Sequence, residues 1–61
     1  MIDLRRIRQE RGLTLKQLSD MAGLHDSYIC LIEQQKRTPS VSAAKRIAKV
    51  LGFDWTRFFG E

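Results

Sequence analysis

The 61-residue chain contains one cysteine (Cys30), one histidine (His25) and one proline (Pro39). A lone cysteine excludes an internal disulfide. Without a CxxC or His-x-His spacing no metal set is expected. No apolar run approaches the roughly 20 residues that span a bilayer. The opening Met1-Ile2-Asp3-Leu4-Arg5-Arg6 becomes charged at once, unlike a secretory signal. No segment alternates with period two, so strands are not expected, and there are no repeats, low-complexity stretches or linkers. These absences fit a protein of a reducing cytoplasm with no membrane, cofactor or small-molecule partner. They also argue against an enzyme, because no nucleophile–base pair and no phosphate-cradling loop is visible. A domain this small buries only about 60% of the surface of its unfolded chain. It has no room for a deep catalytic cleft, and residues 1–61 read as a single domain that works through an outer face.

Charge gives the first positive pointer. Eleven Lys and Arg stand against seven Asp and Glu, a net charge of +4. Such a balance favours a polyanionic partner, either nucleic acid or an anionic surface.

The pattern of apolar residues and caps predicts an all-α fold of five short helices. The first runs from about Asp3 to Arg11, with Leu4 and Ile7 inward and Gly12 closing it. Thr14-Leu15-Lys16-Gln17 has capping-box form, and opens a second helix that reaches Ala22 with Leu15, Leu18, Met21 and Ala22 on its inner side. Gly23 and Leu24 form a tight turn, since glycine accepts positive φ without a Cβ clash. The third helix covers about Asp26 to Gln34 and packs through Ile29 and Ile32. Residues 35–39 break the pattern. Ser40 caps a fourth helix whose stripe is Val41, Ala44, Ile47, Ala48 and Leu51, ended by Gly52. Asp54 caps a last helix, Trp55 to Phe59.

The most informative stretch is Leu15 to Leu31. Two short helices joined at a steep angle by a three- to four-residue turn require apolar residues at set offsets from the turn glycine. Leu18 and Ala22 before Gly23, and Leu24, Ile29 and Ile32 after it, meet that requirement, and Ser19 is small enough for close approach. If Ile29 and Ile32 point inward, residues 27, 30, 31 and 34 point outward.

At this point the chain resembles the Cro/repressor-type (XRE) helix-turn-helix family. The resemblance is carried by Ile7-Arg8-Gln9-Glu10-Arg11-Gly12-Leu13-Thr14, Gln17-Leu18, Gly23-Leu24, Ser27-Tyr28-Ile29, Ile32-Glu33, Lys36-Arg37-Thr38-Pro39-Ser40 and Ile47-Ala48-Lys49-Val50-Leu51-Gly52. It implies a compact five-helix repressor-like domain with helices 2 and 3 as the helix-turn-helix. It also implies a bacterial or phage transcription regulator that binds double-stranded DNA as a homodimer, with helix 3 in the major groove. By position, base readers fall on Asp26, Ser27, Tyr28 and Leu31, with Cys30 and Gln34 at the edge of that face. Backbone contacts fall on Thr14 and Lys16, on His25, and on Lys36 and Arg37. Arg8 and Glu33 match a partly buried, mainly structural ion pair.

The sequence departs from the family at four places: Leu15 where Gln is usual, His25 where Ser or Thr is usual, and Asp26 and Leu31 where Arg or Gln is common. Asp26 has two readings, an acceptor for cytosine N4 or a carboxylate favoured by the helix dipole. Leu31 has two as well, a contact to a thymine methyl or a surface for another protein. A protein-interaction module on the same fold, using Tyr28, Cys30 and Leu31, is therefore the rival function. Cys30 reads as an ordinary small side chain, His25 as a polar cap, and Lys45, Arg46 and Lys49 as a solvated face. Trp55 and Phe58 are expected in the core and Phe59 outside it.

Overall fold

The computed structural model describes Ile2–Gly60. Its elements are α1 (Leu4–Glu10), α2 (Leu15–Ala22), α3 (Asp26–Glu33), α4 (Val41–Leu51) and α5 (Arg57–Gly60), with no strand among the described residues. α2 packs against both α3 and α4, and α1 against α3. Gly23, Leu24 and His25 join α2 to α3, so these two helices form the helix-turn-helix unit.

Local chemistry sets most of the boundaries. The Asp3 carboxylate accepts from the Arg6 N–H and starts α1. At α2, Thr14 Oγ1 accepts from the Gln17 N–H at 3.1 Å while Gln17 Oε1 accepts from the Thr14 N–H at 2.8 Å, a complete capping box. Ser40 Oγ accepts from the Ala43 N–H at 3.1 Å and starts α4. Gly23, at φ +68°, ends α2 in the left-handed region, with its own N–H and that of Leu24 both bonded to Ser19 O. That reversal turns the chain sharply enough for α3 to pack back on α2.

Leu4, Leu18, Ile29, Ile32, Ile47 and Leu51 are the largest fully buried side chains, joined by Ile2, Ala22, Ala44 and Phe58 in one core. Two expected core residues lie outside it. Met21 is 60% exposed; at 100° per residue it sits roughly 110° from the centre of the face formed by Leu15, Leu18, Ser19 and Ala22. Val41 is 50% exposed because it occupies the first position of α4, at the end of the stripe. Ala43 and Ile2 fill inner positions instead.

α5 also begins later than its aromatic pattern suggests. The Asp54 carboxylate accepts from both the N–H and the hydroxyl of Thr56, so residues 55 and 56 form a turn rather than the first helical residues. Phe58 is buried and Phe59 is exposed, while Trp55 is half-buried with Lys45 Nζ 5.1 Å from its ring centroid.

Candidate nucleic-acid interface

α3 is divided lengthwise. Ile29 and Ile32 are 0% and 1% exposed and anchor its inner side. Asp26, Ser27, Leu31 and the following Gln34 are exposed on the other. Cys30 is half-buried at the edge of this row, its Sγ accepting from Gln34 Nε2 at 3.0 Å. Asp26 lies in the first turn, where a carboxylate interacts favourably with the helix dipole.

His25 occupies the N-cap position of α3, but its side chain makes no capping hydrogen bond. The expectation of a polar side-chain cap is therefore corrected. Its backbone is extended and its carbonyl accepts from the Ile29 N–H at 3.2 Å, so the helix starts on main-chain geometry alone.

At the start of α2 the capping box already uses the Thr14 N–H, so that group is not available to an outside acceptor. The Thr14 hydroxyl keeps its own proton to donate, and Lys16 is exposed one residue into the helix. Leu15, where the family favours Gln, is half-buried and packs on the core.

The chain leaves α3 through Gln35, which stands at φ +60°. The Gln35 N–H bonds to Ile32 O and the Lys36 N–H to Leu31 O, closing the helix end. Lys36 and Arg37 follow, both exposed. Arg37 lays its guanidinium carbon 5.1 Å from the centroid of the Tyr28 ring. Tyr28 itself lies off the exposed row: it is half-buried against the core, and its hydroxyl oxygen accepts from the Ser40 N–H at 3.1 Å.

Glu33 ties α3 to α1. Its side chain is 2% exposed and grips Arg8 through two hydrogen bonds, from Nε at 2.7 Å and Nη2 at 3.3 Å. Arg8 Nη1 donates onward to Leu13 O at 2.9 Å, and Arg5 Nε lies 3.4 Å from Glu33 Oε1. A carboxylate removed from water in this way is tolerable only because each oxygen faces a cation. Arg11 does a related task, donating from Nε to Leu51 O at 2.9 Å at the end of α4. Neither Arg5 nor Arg11 carries a local spacing signal for these long-range contacts.

The arrangement therefore offers an exposed polar and apolar row on α3 with Lys36 and Arg37 just beyond its C-terminus. Among the described residues no group of His, Cys, Asp and Glu could hold a metal ion, and no helix is long and apolar enough to cross a membrane.

Comparison with known proteins bears on this geometry. The helix-turn-helix family model matches residues 4–58. The uncharacterized HTH-type transcriptional regulator YqaF of Bacillus subtilis is 41% identical over 56 residues, covering 92% of this chain and 74% of YqaF. The HTH-type transcriptional regulator PuuR of Escherichia coli is 38% identical over 58 residues, covering 95% of this chain and 31% of PuuR. The immunity repressor protein of Bacillus phage phi105 is also 38% identical over 58 residues, again 95% of this chain but 40% of the repressor. The chain thus spans most of YqaF and well under half of the other two.

Proposed function

This chain belongs to the helix-turn-helix family, and from that premise we propose that it is a transcription regulator that binds duplex DNA with α3 in the major groove. The observation that carries this reading is the division of α3. Its inner residues are committed to the core, and Asp26 and Ser27 are left exposed in its first turn, where a recognition helix presents side chains to base edges, with Leu31 exposed one turn further along the same side.

In this reading Lys16, Lys36 and Arg37 face phosphates, joined by the Thr14 hydroxyl and by His25 at the start of α3. These contacts fix register and supply salt-dependent affinity without choosing a sequence. Choice falls to the α3 row. Asp26 accepts from a cytosine N4 amine, Ser27 bonds either partner of a base pair, and Leu31 packs on a thymine methyl. Two copies bind together on a near-palindrome with half-sites about 34 Å apart, one helical turn. The chain works in the cytoplasm, without cofactor and without catalysis. The names of YqaF, PuuR and the phage repressor support regulation as the biological outcome.

The test is selection from random double-stranded DNA at moderate salt, followed by sequencing of what is retained. An enriched near-palindrome is the expected result. Retention without enrichment would reduce the activity to backbone binding. No retention would overturn the proposal and favour a protein partner for the face that holds Leu31, which is 38% exposed.

A further inference from the structure

We infer that Tyr28 is a positioning residue rather than a base reader: it fixes the loop after α3 and holds the Arg37 guanidinium in its phosphate-facing pose. This assignment rests on the duplex-binding function proposed above.

Three contacts carry it. The Tyr28 ring packs on the core, which anchors the side chain. Its hydroxyl oxygen takes the Ser40 N–H at 3.1 Å, reaching twelve residues along the chain to the cap of α4. Its ring lies under the Arg37 guanidinium, 5.1 Å away. The loop is thereby pinned at both ends. At the α3 end the Lys36 N–H is bonded to Leu31 O at 2.9 Å, and at the α4 end Ser40 is bonded to Tyr28. Between these pins the only long cationic side chains are Lys36 and Arg37.

The contact suits the task. A guanidinium held over an aromatic ring keeps N–H groups free to bond a phosphate, and less freedom is lost when they do. A base-reading role suits Tyr28 poorly. Its hydroxyl is turned toward the Ser40 N–H in the loop, and its half-buried ring is shared between the core and Arg37.

A double-mutant cycle on duplex affinity separates the two roles. The variants are Tyr28→Leu, Arg37→Ala and both together, measured against a retained duplex and a scrambled one. A positioning role predicts that Tyr28→Leu weakens both duplexes alike by about two- to fivefold, the affinity equivalent of an exposed cation–π contact. In the Arg37→Ala background the same change should cost clearly less, because the cation that it holds directly is gone and only its hold on the loop with Lys36 is left to lose. Tyr28→Phe keeps the ring and should retain most of the affinity, while hydrogen exchange of the Ser40 amide quickens. Additive losses would overturn the assignment, as would a loss confined to the retained duplex, which is the signature of a base contact. If Ser40 exchange were unchanged in Tyr28→Phe, the hydroxyl pin would be disproved without reference to DNA. A wild-type chain that binds no duplex would remove the function on which the assignment rests, a result distinct from each of these.

Discussion

α2 and α3 have the same length and pack against each other, yet they are held by opposite means. α2 is specified locally. A full capping box starts it and a left-handed glycine ends it. α3 has neither device: no side chain caps it at His25, and its exit turns on Gln35, a non-glycine residue at positive φ. What holds α3 is tertiary: Ile29 and Ile32 in the core, Glu33 on Arg8, and Tyr28 on Ser40. A helix fixed from its inner side has an outer row with little duty in folding beyond the favourable place of Asp26 at the helix dipole. Ser27 and Leu31 above all are then free to be chosen for what they meet.

The largest effect should come from removing the tertiary anchor of α3. Glu33→Ala leaves Arg8, with a side chain only 12% exposed, facing no carboxylate. A loss of about 3–5 kcal/mol is expected on breaking a buried pair at one partner. In a domain whose whole stability is of order 5–15 kcal/mol, denaturant unfolding should show a large fall in midpoint. A loss below about 1 kcal/mol, the value of a surface pair, would mean that α3 does not depend on this anchor.

The local device of α2 should matter less. Thr14→Ala removes the acceptor for the Gln17 N–H and is expected to cost about 1 kcal/mol in thermal or chemical unfolding. The converse change sharpens the contrast. His25→Ser gives α3 the side-chain cap it lacks and should stabilise the fold by about 0.5–1 kcal/mol. If it destabilises, the His25 side chain has a folding role beyond its missing cap bond.

The contrast between α2 and α3 also accounts for what could be read from the residues alone. Caps are local, so Thr14, Gln17, Gly23, Ser40 and Gly52 announce the limits of α2 and α4 in sequence. The inward and outward sides of α3 follow from 3.6-residue periodicity once Ile29 and Ile32 are taken as core. Periodicity is coarser at helix ends and face edges, which is why Met21 and Val41 fall outside the core they were expected to join. The start of α5 was hidden because Asp54 can either cap a helix or close a turn, and Thr56 offers it two donors for the turn. Contacts across long separations leave no local trace. The bond from Tyr28 to Ser40, the hold of Arg11 on Leu51 and the approach of Arg5 to Glu33 emerge only when the chain is folded.

The smallest expected effect is at Asp54, the local device of the short α5. The backbone N–H of Thr56, then its hydroxyl, and more weakly the charge on Arg57, hold the Asp54 carboxyl below its ordinary value of 3.8. A folded-state value below the unfolded one contributes stability that is present above the unfolded value and lost as pH falls through the folded one. The Asp54 resonance followed by NMR should therefore titrate below pH 3.8, and α5 should loosen only in that acid range. An ordinary or raised titration would contradict the turn geometry.

The central claim is that the outer row of α3 is spared from folding in order to discriminate DNA. Its most direct test is the ratio of affinities for a selected and a scrambled duplex, compared between the wild type and the Ser27→Ala, Leu31→Ala double variant. The account predicts that this ratio falls severalfold, less than the loss of a bidentate base pair contact at about 1–3 kcal/mol would give, because Ser27 and Leu31 offer a single hydroxyl and a methyl contact, while unfolding stability shifts by no more than about 0.5 kcal/mol per exposed site. An unchanged ratio, or a loss of binding that merely tracks a loss of stability, would contradict it.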